Sequence, residues 1–472
     1  MEKLFVGLDV SKNDYKVCIL NGAGEKVMQV FALHNNADDS ERLVDAVVSI
    51  ATELNINKIL FGYESTSVYG WHLQYFLADS TQLRPFSPST ICFNPSIIES
   101  FKKTLGDLPK NDRIDAFAIA ERLRFGRLPE SVPVDFRYLA LQRLTRHRFH
   151  IVENIVREKC YYLSNLFLKC SGLCQAKVFS NNFGASALAV IDELGDIDMI
   201  ADMPLEDLVR FLVEKGNEHF ADADMVAKKL QDAVKSSYRL APSVDNSLNL
   251  VLRCCIDNIK SMEKQKKAIE KAIKAEVTYF ENEYTCLKSV KGIGEVISAG
   301  LIAEIAGISR FENDNALAKF SGIYWSSYQS AGFTADETSL RKCGNKYLRY
   351  YFIQAADQLR KYLPEYNAFY SRKFKESKTH HHKRALVLTS RKVVRLVFAL
   401  LHEGKLYDPA HWYLFSFPAD SFVLPACLAV SIKPLILKKI LIFEKLGAWH
   451  ITERLSDVLK ELALSRIDDS VP

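Results

Sequence analysis

The chain has 472 residues, 48% of them hydrophobic and 25% charged, which excludes a disordered or fibrous protein and allows roughly two to four domains with a sizeable core. Its net charge of +5 averages an acidic stretch over 191–225 with basic ones over 137–159 and 360–395, an asymmetry that suits a polyanionic partner. Ten cysteines without paired metal-ligand spacing read as reduced thiols. The opening Met1-Glu2-Lys3 lacks a signal-peptide layout, and the apolar stretch 421–443 is broken by Pro425, Lys433, Pro434, Lys438 and Lys439, so the expectation is a cytoplasmic protein with no membrane span.

In chain order, residues 4–10, 15–20 and 26–33 read as short strands separated by Ser-Lys-Asn-Asp and Asn-Gly-Ala-Gly turns, an antiparallel meander. Residues 39–54 carry apolar side chains at helical spacing, with acids at the start. A strand at 58–63, a helix at 68–78, a short strand near 90–93 and a helix at 112–125 follow. Three strands and then alternating helix and strand is the order of an α/β ribonuclease-H-like domain, placed at residues 1–130. From 136 to 285 long helices dominate, at 138–168 and 246–280; the second, with Leu252, Ile256, Ile259, Met262, Ile269 and Ile273 amid charge, suits a coiled-coil arm or equally a buried bundle helix. An acidic insertion, 181–236, reads as a small helical module between them. The block 287–410 reads as a mainly helical domain whose last helix, 385–401, ends before Gly404 and Pro409. Residues 411–472 receive no assigned role.

Asp9 lies inside an otherwise apolar strand, Leu4-Phe5-Val6-Gly7-Leu8-Asp9-Val10, where an acid costs stability unless it is paired or binds a cation. Glu64 ends the next apolar strand, and parallel strands bring their carboxyl ends to one crevice. Asp112 and Asp115, three apart, share one face of a helix start. A helix-capping role for Asp112 and a surface ion pair for Glu64 are the simpler alternatives. Taken together, four convergent acids call for a hard divalent cation, magnesium or manganese, of the kind that activates phosphodiester chemistry.

The sequence here resembles the DEDD transposases of insertion-sequence family one-ten. The resemblance rests on Gly7-Leu8-Asp9-Val10-Ser11-Lys12, Tyr63-Glu64-Ser65-Thr66 and Lys110-Asn111-Asp112-Arg113-Ile114-Asp115-Ala116. It continues in Val290-Lys291-Gly292-Ile293-Gly294, Leu317-Ala318-Lys319-Phe320-Ser321-Gly322, Gln329-Ser330, Lys342-Cys343-Gly344-Asn345-Lys346-Tyr347-Leu348-Arg349 and His382-Lys383-Arg384-Ala385-Leu386-Val387. It implies that Asp9, Glu64, Asp112 and Asp115 form a metal-binding tetrad in a resolvase-like domain. It also implies a C-terminal transposase domain with a nucleophilic serine, Ser330, that attacks a DNA phosphate and becomes covalently linked to it, together with guidance by a bridge RNA and a homo-oligomer, dimer or tetramer. Ser330 is followed by Ala331-Gly332 where this family commonly has glycine next, so Ser326 and Ser327 stay open as nucleophiles.

Lys291, Gly292 and Gly294 look like the turn of a helix-hairpin-helix element, whose glycines let backbone amides approach a phosphate. Arg341, Lys342, Lys346 and Arg349, then Lys383, Arg384, Arg391 and Lys392, are the side chains expected to hold nucleic acid. The run His380–His382 does not suit a metal, because consecutive helical residues face different ways. Two other classes compete: a hydrolytic junction nuclease that needs no serine, and a non-catalytic nucleic-acid-binding protein whose acids are structural. An actin-like kinase is disfavoured, since no glycine-rich phosphate loops follow the second-half strands.

Overall fold

The structure, a computed structural model, describes residues 3–65, 68–106, 111–128, 136–216, 222–325, 340, 343–377 and 379–409, with the backbone alone at 329–330, 333–334 and 341. The chain divides into two units, Met1–Gly404 and Lys405–Pro472. Of the second only 405–409 are described; the apolar stretch 421–443 lies outside the described residues.

The N-terminal part is a mixed sheet of five strands. β1 (Lys3–Val10), β2 (Asp14–Leu20) and β3 (Phe31–His34) form the meander; α1 (Ala37–Glu53), β4 (Lys58–Glu64), α2 (Gly70–Asp79), β5 (Ser89–Phe93), α3 (Pro95–Lys102) and α4 (Asp112–Phe125) follow. The strand order is β3-β2-β1-β4-β5, with β1 antiparallel to β2 and parallel to β4, and β4 parallel to β5. Strand alternation sorts the side chains into two layers. Leu4, Val6, Leu8, Val17, Ile19, Ile59, Phe61 and Tyr63 pack on α1 and α2, whereas Phe5, Cys18, Leu20, Leu60 and Ile91 pack on α3 and α4.

Two expectations are corrected here. The third strand begins at Phe31 rather than 26: Asn21 accepts bonds from the Ala23 and Glu25 amides, and the chain then makes one isolated bridge, Leu20 with Lys26, before leaving the sheet. Helix α3 was not expected, although its start is written in Asn94, whose side chain accepts from the Ser96 amide, and in Pro95 at the first helical position.

Helix α5 (Phe136–Lys169) leads into a module of short helices: α6 (Ser171–Gln175), α7 (Ala185–Ala189), α8 (Ile197–Asp202), α9 (Leu205–Lys215) and α10 (Ala223–Lys235). Helix α11 (Pro242–Glu276) then returns along α5. The pairings Arg148 with Glu270, Glu158 with Asn258 and Lys169 with Asp245 run in opposite directions along the two helices, so the pair is antiparallel. Helix α11 thus packs along α5 of its own chain. Leu252, Ile256 and Ile259 of α11 share one core with Tyr162 and Leu166 of α5 and with the acidic insertion, whose Leu208, Leu212 and Leu230 complete it.

The C-terminal block comprises α12 (Glu281–Lys288), α13 (Glu295–Ile305), α14 (Asp314–Ser321), the two-residue strands β6 (Tyr324–Trp325), β7 (Gln329–Ser330), β8 (Phe333–Thr334) and β9 (Leu340–Arg341), and α15 (Lys346–Tyr362), α16 (Pro364–Glu376) and α17 (His381–Glu403). The last helix starts four residues earlier than its apolar periodicity, because its first turn, His381 to Arg384, is wholly exposed. No helix among the described residues is long and apolar enough to cross a membrane.

Candidate active site

Asp9 and Glu64 stand at the carboxyl ends of β1 and β4. These strands pair in parallel up to Leu8 opposite Tyr63, so the two acids come one step later on neighbouring strands. Because Leu8 and Tyr63 enter the core beneath α1 and α2, alternation turns Asp9 and Glu64 to the opposite face, toward α4.

The rung two residues earlier explains how α4 comes so near. There Gly7 pairs with Gly62. A Cβ on Gly7 would stand 2.5 Å from the Ala120 nitrogen and closer still to the Ala116 carbonyl oxygen; one on Gly62 would meet Phe93 and Leu123 at 2.9 and 3.0 Å. Two adjacent glycines thus leave the trough in which α4 lies. Its N-terminal cap is Asn111, whose side chain accepts from the Ile114 amide at 2.9 Å, so the capping role considered for Asp112 belongs to its neighbour. Asp112 is exposed and Asp115 half-buried in the first turn of α4.

Burial and neighbouring acids bear on Asp9 and Glu64. The Asp9 carboxyl is pushed up to about 6 by burial and then by Asp115 and Asp112, with Lys102 and Lys16 opposing. Glu64 is pushed up to about 7 by burial and then by Asp9 and Asp115, again with Lys102 opposing. Lys102, at the end of α3, pairs with Asp115, while Lys16, opposite Asp9 in the sheet, pairs with Asp14 at 2.6 Å. Among the described residues no three acidic, histidine or cysteine groups stand close enough, as they are, to hold an ion. The donor set nevertheless fits a hard divalent cation: all four groups are oxygen donors, burial and neighbouring acids make two of them resist ionisation, and a lysine ammonium supplies the nearby positive charge.

The sequence reading missed Lys102 and the glycine rung. The rung had a signal, glycine two residues before the acid in both Gly7-Leu8-Asp9 and Gly62-Tyr63-Glu64. Lys102 had none, since it reaches the site only through the packing of α3 on α4.

Ser330 ends β7, its backbone paired with Phe333 of β8 across a two-residue connection. Ser326, Ser327, Ala331, Gly332 and Lys342 lie outside the described residues, as do the side chains of Ser330 and Arg341. Lys291 and Gly292 form the turn between α12 and α13, with Gly292 at φ +108° and Gly294 capping α13.

The predicted basic residues divide. Lys291, Lys346, Lys383 and Arg384 are exposed. Arg349 donates to the Ser321 carbonyl at 3.2 Å, and burial lowers its pKa. Arg391 is tied to Asp314 at 2.7 Å and to the Asn315 side chain at 2.6 Å. Lys392 lies 4.5 Å over the Phe369 ring, and burial pushes it down to about 8. Within the histidine run, His381 meets the Phe374 carbonyl and His382 the Tyr370 hydroxyl.

Comparison with known proteins adds independent findings. A family model described as a transposase, the DEDD type of IS110, matches residues 6–168. A second, described as the transposase IS116/IS110/IS902 family, matches residues 284–371. The chain is also 23% identical over 303 residues to the insertion element IS116 uncharacterized 44.8 kDa protein of Streptomyces clavuligerus, a match that spans 64% of this chain and 73% of that protein.

Proposed function

The chain belongs to the IS110 family of insertion-sequence transposases, and from that premise we propose that it cuts and rejoins DNA with a divalent-metal site at Asp9, Glu64, Asp112 and Asp115 and a serine nucleophile at Ser330. The placement of Asp9 and Glu64 at the carboxyl ends of adjacent parallel strands carries this reading, together with the upward push that burial and neighbouring acids exert on both carboxyls, because acids are retained at such a cost where a functional site needs them. The strand order β3-β2-β1-β4-β5 supports a ribonuclease-H-like domain.

In this reading Asp9 and Glu64 on the sheet and Asp112 and Asp115 on α4 would hold magnesium or manganese. The bound ion supplies Lewis-acid stabilisation of charge on a phosphodiester. The Ser330 Oγ attacks phosphorus; an Oγ–P bond forms as one P–O bond to deoxyribose breaks, the serine proton leaves to solvent, and the released sugar oxygen takes up a proton. The phosphoserine conserves the bond energy, so attack by another strand's hydroxyl restores serine and joins DNA. Lys291, Lys346, Lys383 and Arg384 offer phosphate contacts, and a bridge RNA and a second protomer complete the assembly.

The test uses the full chain with DNA bearing the element ends, its native flanking transcript and Mg²⁺, and follows a protein–DNA adduct on denaturing gels. Ser330→Ala removes the adduct, and Asp9→Asn removes Mg²⁺-dependent strand exchange while far-UV circular dichroism is kept. Adduct formation by Ser330→Ala at the wild-type level overturns the nucleophile; undiminished exchange by Asp9→Asn overturns the tetrad.

A further inference from the structure

We propose that Glu304, acting through Asn345, is the positioning residue that fixes the neck from which the Ser330-bearing segment departs and returns; the proposal rests on Ser330 being the nucleophile. Glu304 is the next-to-last residue of α13, and its side chain is 0% exposed. A buried carboxylate is costly unless paired, and an apolar residue would fill the same space at no such cost. What the charge provides is direction. One oxygen accepts from Arg146 Nε at 2.7 Å; the other accepts from Arg146 Nη2 at 2.9 Å and from Asn345 Nδ2 at 2.6 Å. Arg146 belongs to α5 and lies 4.6 Å over the ring of Tyr347 on α15. A single side chain thus fixes α5, α13 and the start of α15 together.

Asn345 is also the neck of that segment. Its side-chain oxygen accepts from the Tyr347 and Leu348 amides, capping α15, and its backbone amide donates to the Phe320 carbonyl at 2.7 Å. Gly344, at φ +141°, presses on the end of α14: a Cβ there would stand 2.6 Å from the Phe320 oxygen and 2.8 Å from the Gly322 nitrogen. On the outgoing side the Ile323 amide donates to the Ala318 carbonyl at 2.9 Å. Just beyond this closure Tyr324 and Trp325 pair with Arg341 and Leu340, and Ser330 follows five residues after Trp325. The described ends of this segment, 323–325 and 343–345, therefore meet at one neck, whose bond to Glu304 ties it to α5, the helix that follows the carboxylate domain.

The test measures DNA affinity, melting temperature and the rate of Ser330–DNA adduct formation at saturating DNA. Asn345→Ser keeps a hydroxyl cap for α15 but is too short to reach Glu304. Asn345→Asp keeps the cap and sets a like charge against Glu304. Both slow adduct formation by about tenfold to a hundredfold at saturation, as misplacement by an ångström does, while Kd for DNA stays within about twofold. Ser330→Ala is run beside them. A wild-type rate in either Asn345 variant, or a loss that follows DNA affinity instead, overturns the positioning role. Adduct formation that survives Ser330→Ala overturns the nucleophile reading instead, so the two failures are distinct.

Discussion

Gly7→Ala is the sharpest perturbation of the proposed site, because it adds one methyl group and no charge. The new Cβ would stand 2.5 Å from the Ala120 nitrogen and nearer still to the Ala116 carbonyl oxygen. Both obstacles are backbone atoms of α4, so no rotamer change relieves them, and the helix has to lift by about 1.4 Å to restore contact distances near 3.5 Å. Overpacking of this kind costs about 1–3 kcal/mol, here toward the upper end, and for a domain of this size each kcal/mol lowers the melting temperature by about 2–4 °C. The lift also carries Asp112 and Asp115 away from Asp9 and Glu64, so Mn²⁺ affinity falls along with stability. Thermal melting with and without Mn²⁺, together with calorimetric titration of the ion, reads both effects. Gly22→Ala, whose Cβ would meet nothing within 4 Å, is the control and melts like the wild type. A Gly7→Ala protein that melts within about 1 °C of wild type and binds Mn²⁺ equally well refutes the argument that the glycine rung seats α4 over the acids.

Two further outcomes follow from the same geometry. Folding raises Asp9 to about 6 and Glu64 to about 7, so between pH 4 and 7 the folded chain binds more protons than the unfolded one. The contribution of these two carboxyls to metal-free stability therefore falls as pH rises through that window, Asp9→Asn removes part of that decline, and Mg²⁺ stabilises more at pH 8 than at pH 5; a urea midpoint that follows the same pH course in wild type and Asp9→Asn without metal contradicts this. On the C-terminal helix, Lys383→Ala and Arg384→Ala weaken DNA binding and each reduce the salt dependence of log K by about 0.9, without a change in melting. Arg391→Ala instead lowers the melting temperature, because it breaks the tie to Asp314; anisotropy titrations across salt concentrations and parallel melts separate these cases, and an equal melting loss in Lys383→Ala rejects the division.

Much of the N-terminal fold was legible because strands and helices there obey their own periods. Four of the five strands and the helix from Asp112 to Phe125 follow alternation or capping that a reader can count. Asp9 announced itself as a charge within an apolar run. The illegible parts depend on residues distant in sequence. Lys102 reaches Asp115 only after α3 has packed, and Arg391, which reads as a phosphate ligand in the sequence, pairs in the fold with Asp314 from 77 positions away. A basic side chain carries no mark of whether its partner will be internal or external. Buried Glu304 is the same problem reversed: its isoleucine- and alanine-rich neighbours describe an apolar helix and give no hint of Arg146 or Asn345.

The carboxylate site also depends on strand register in a way its own residues do not determine. A slip of one residue between β1 and β4 would turn Asp9 toward Leu43 and Val47 beneath α1 and leave Glu64 facing α4 alone. Several features resist that slip at once. Leu4, Val6 and Leu8 fill one core while Phe5 fills the other, and the Gly7–Gly62 rung seats α4 closely, since a side chain at the Gly7 position meets helix backbone and one at the Gly62 position meets Phe93 and Leu123. The glycines thus act through register: they mark the height at which the stretch Ala116–Leu123 of α4 crosses the sheet, one side-chain repeat below Asp9 and Glu64, and so set where the first turn with Asp112 and Asp115 lies. Moving either glycine by one position would leave all four carboxylates in the sequence and separate them in space.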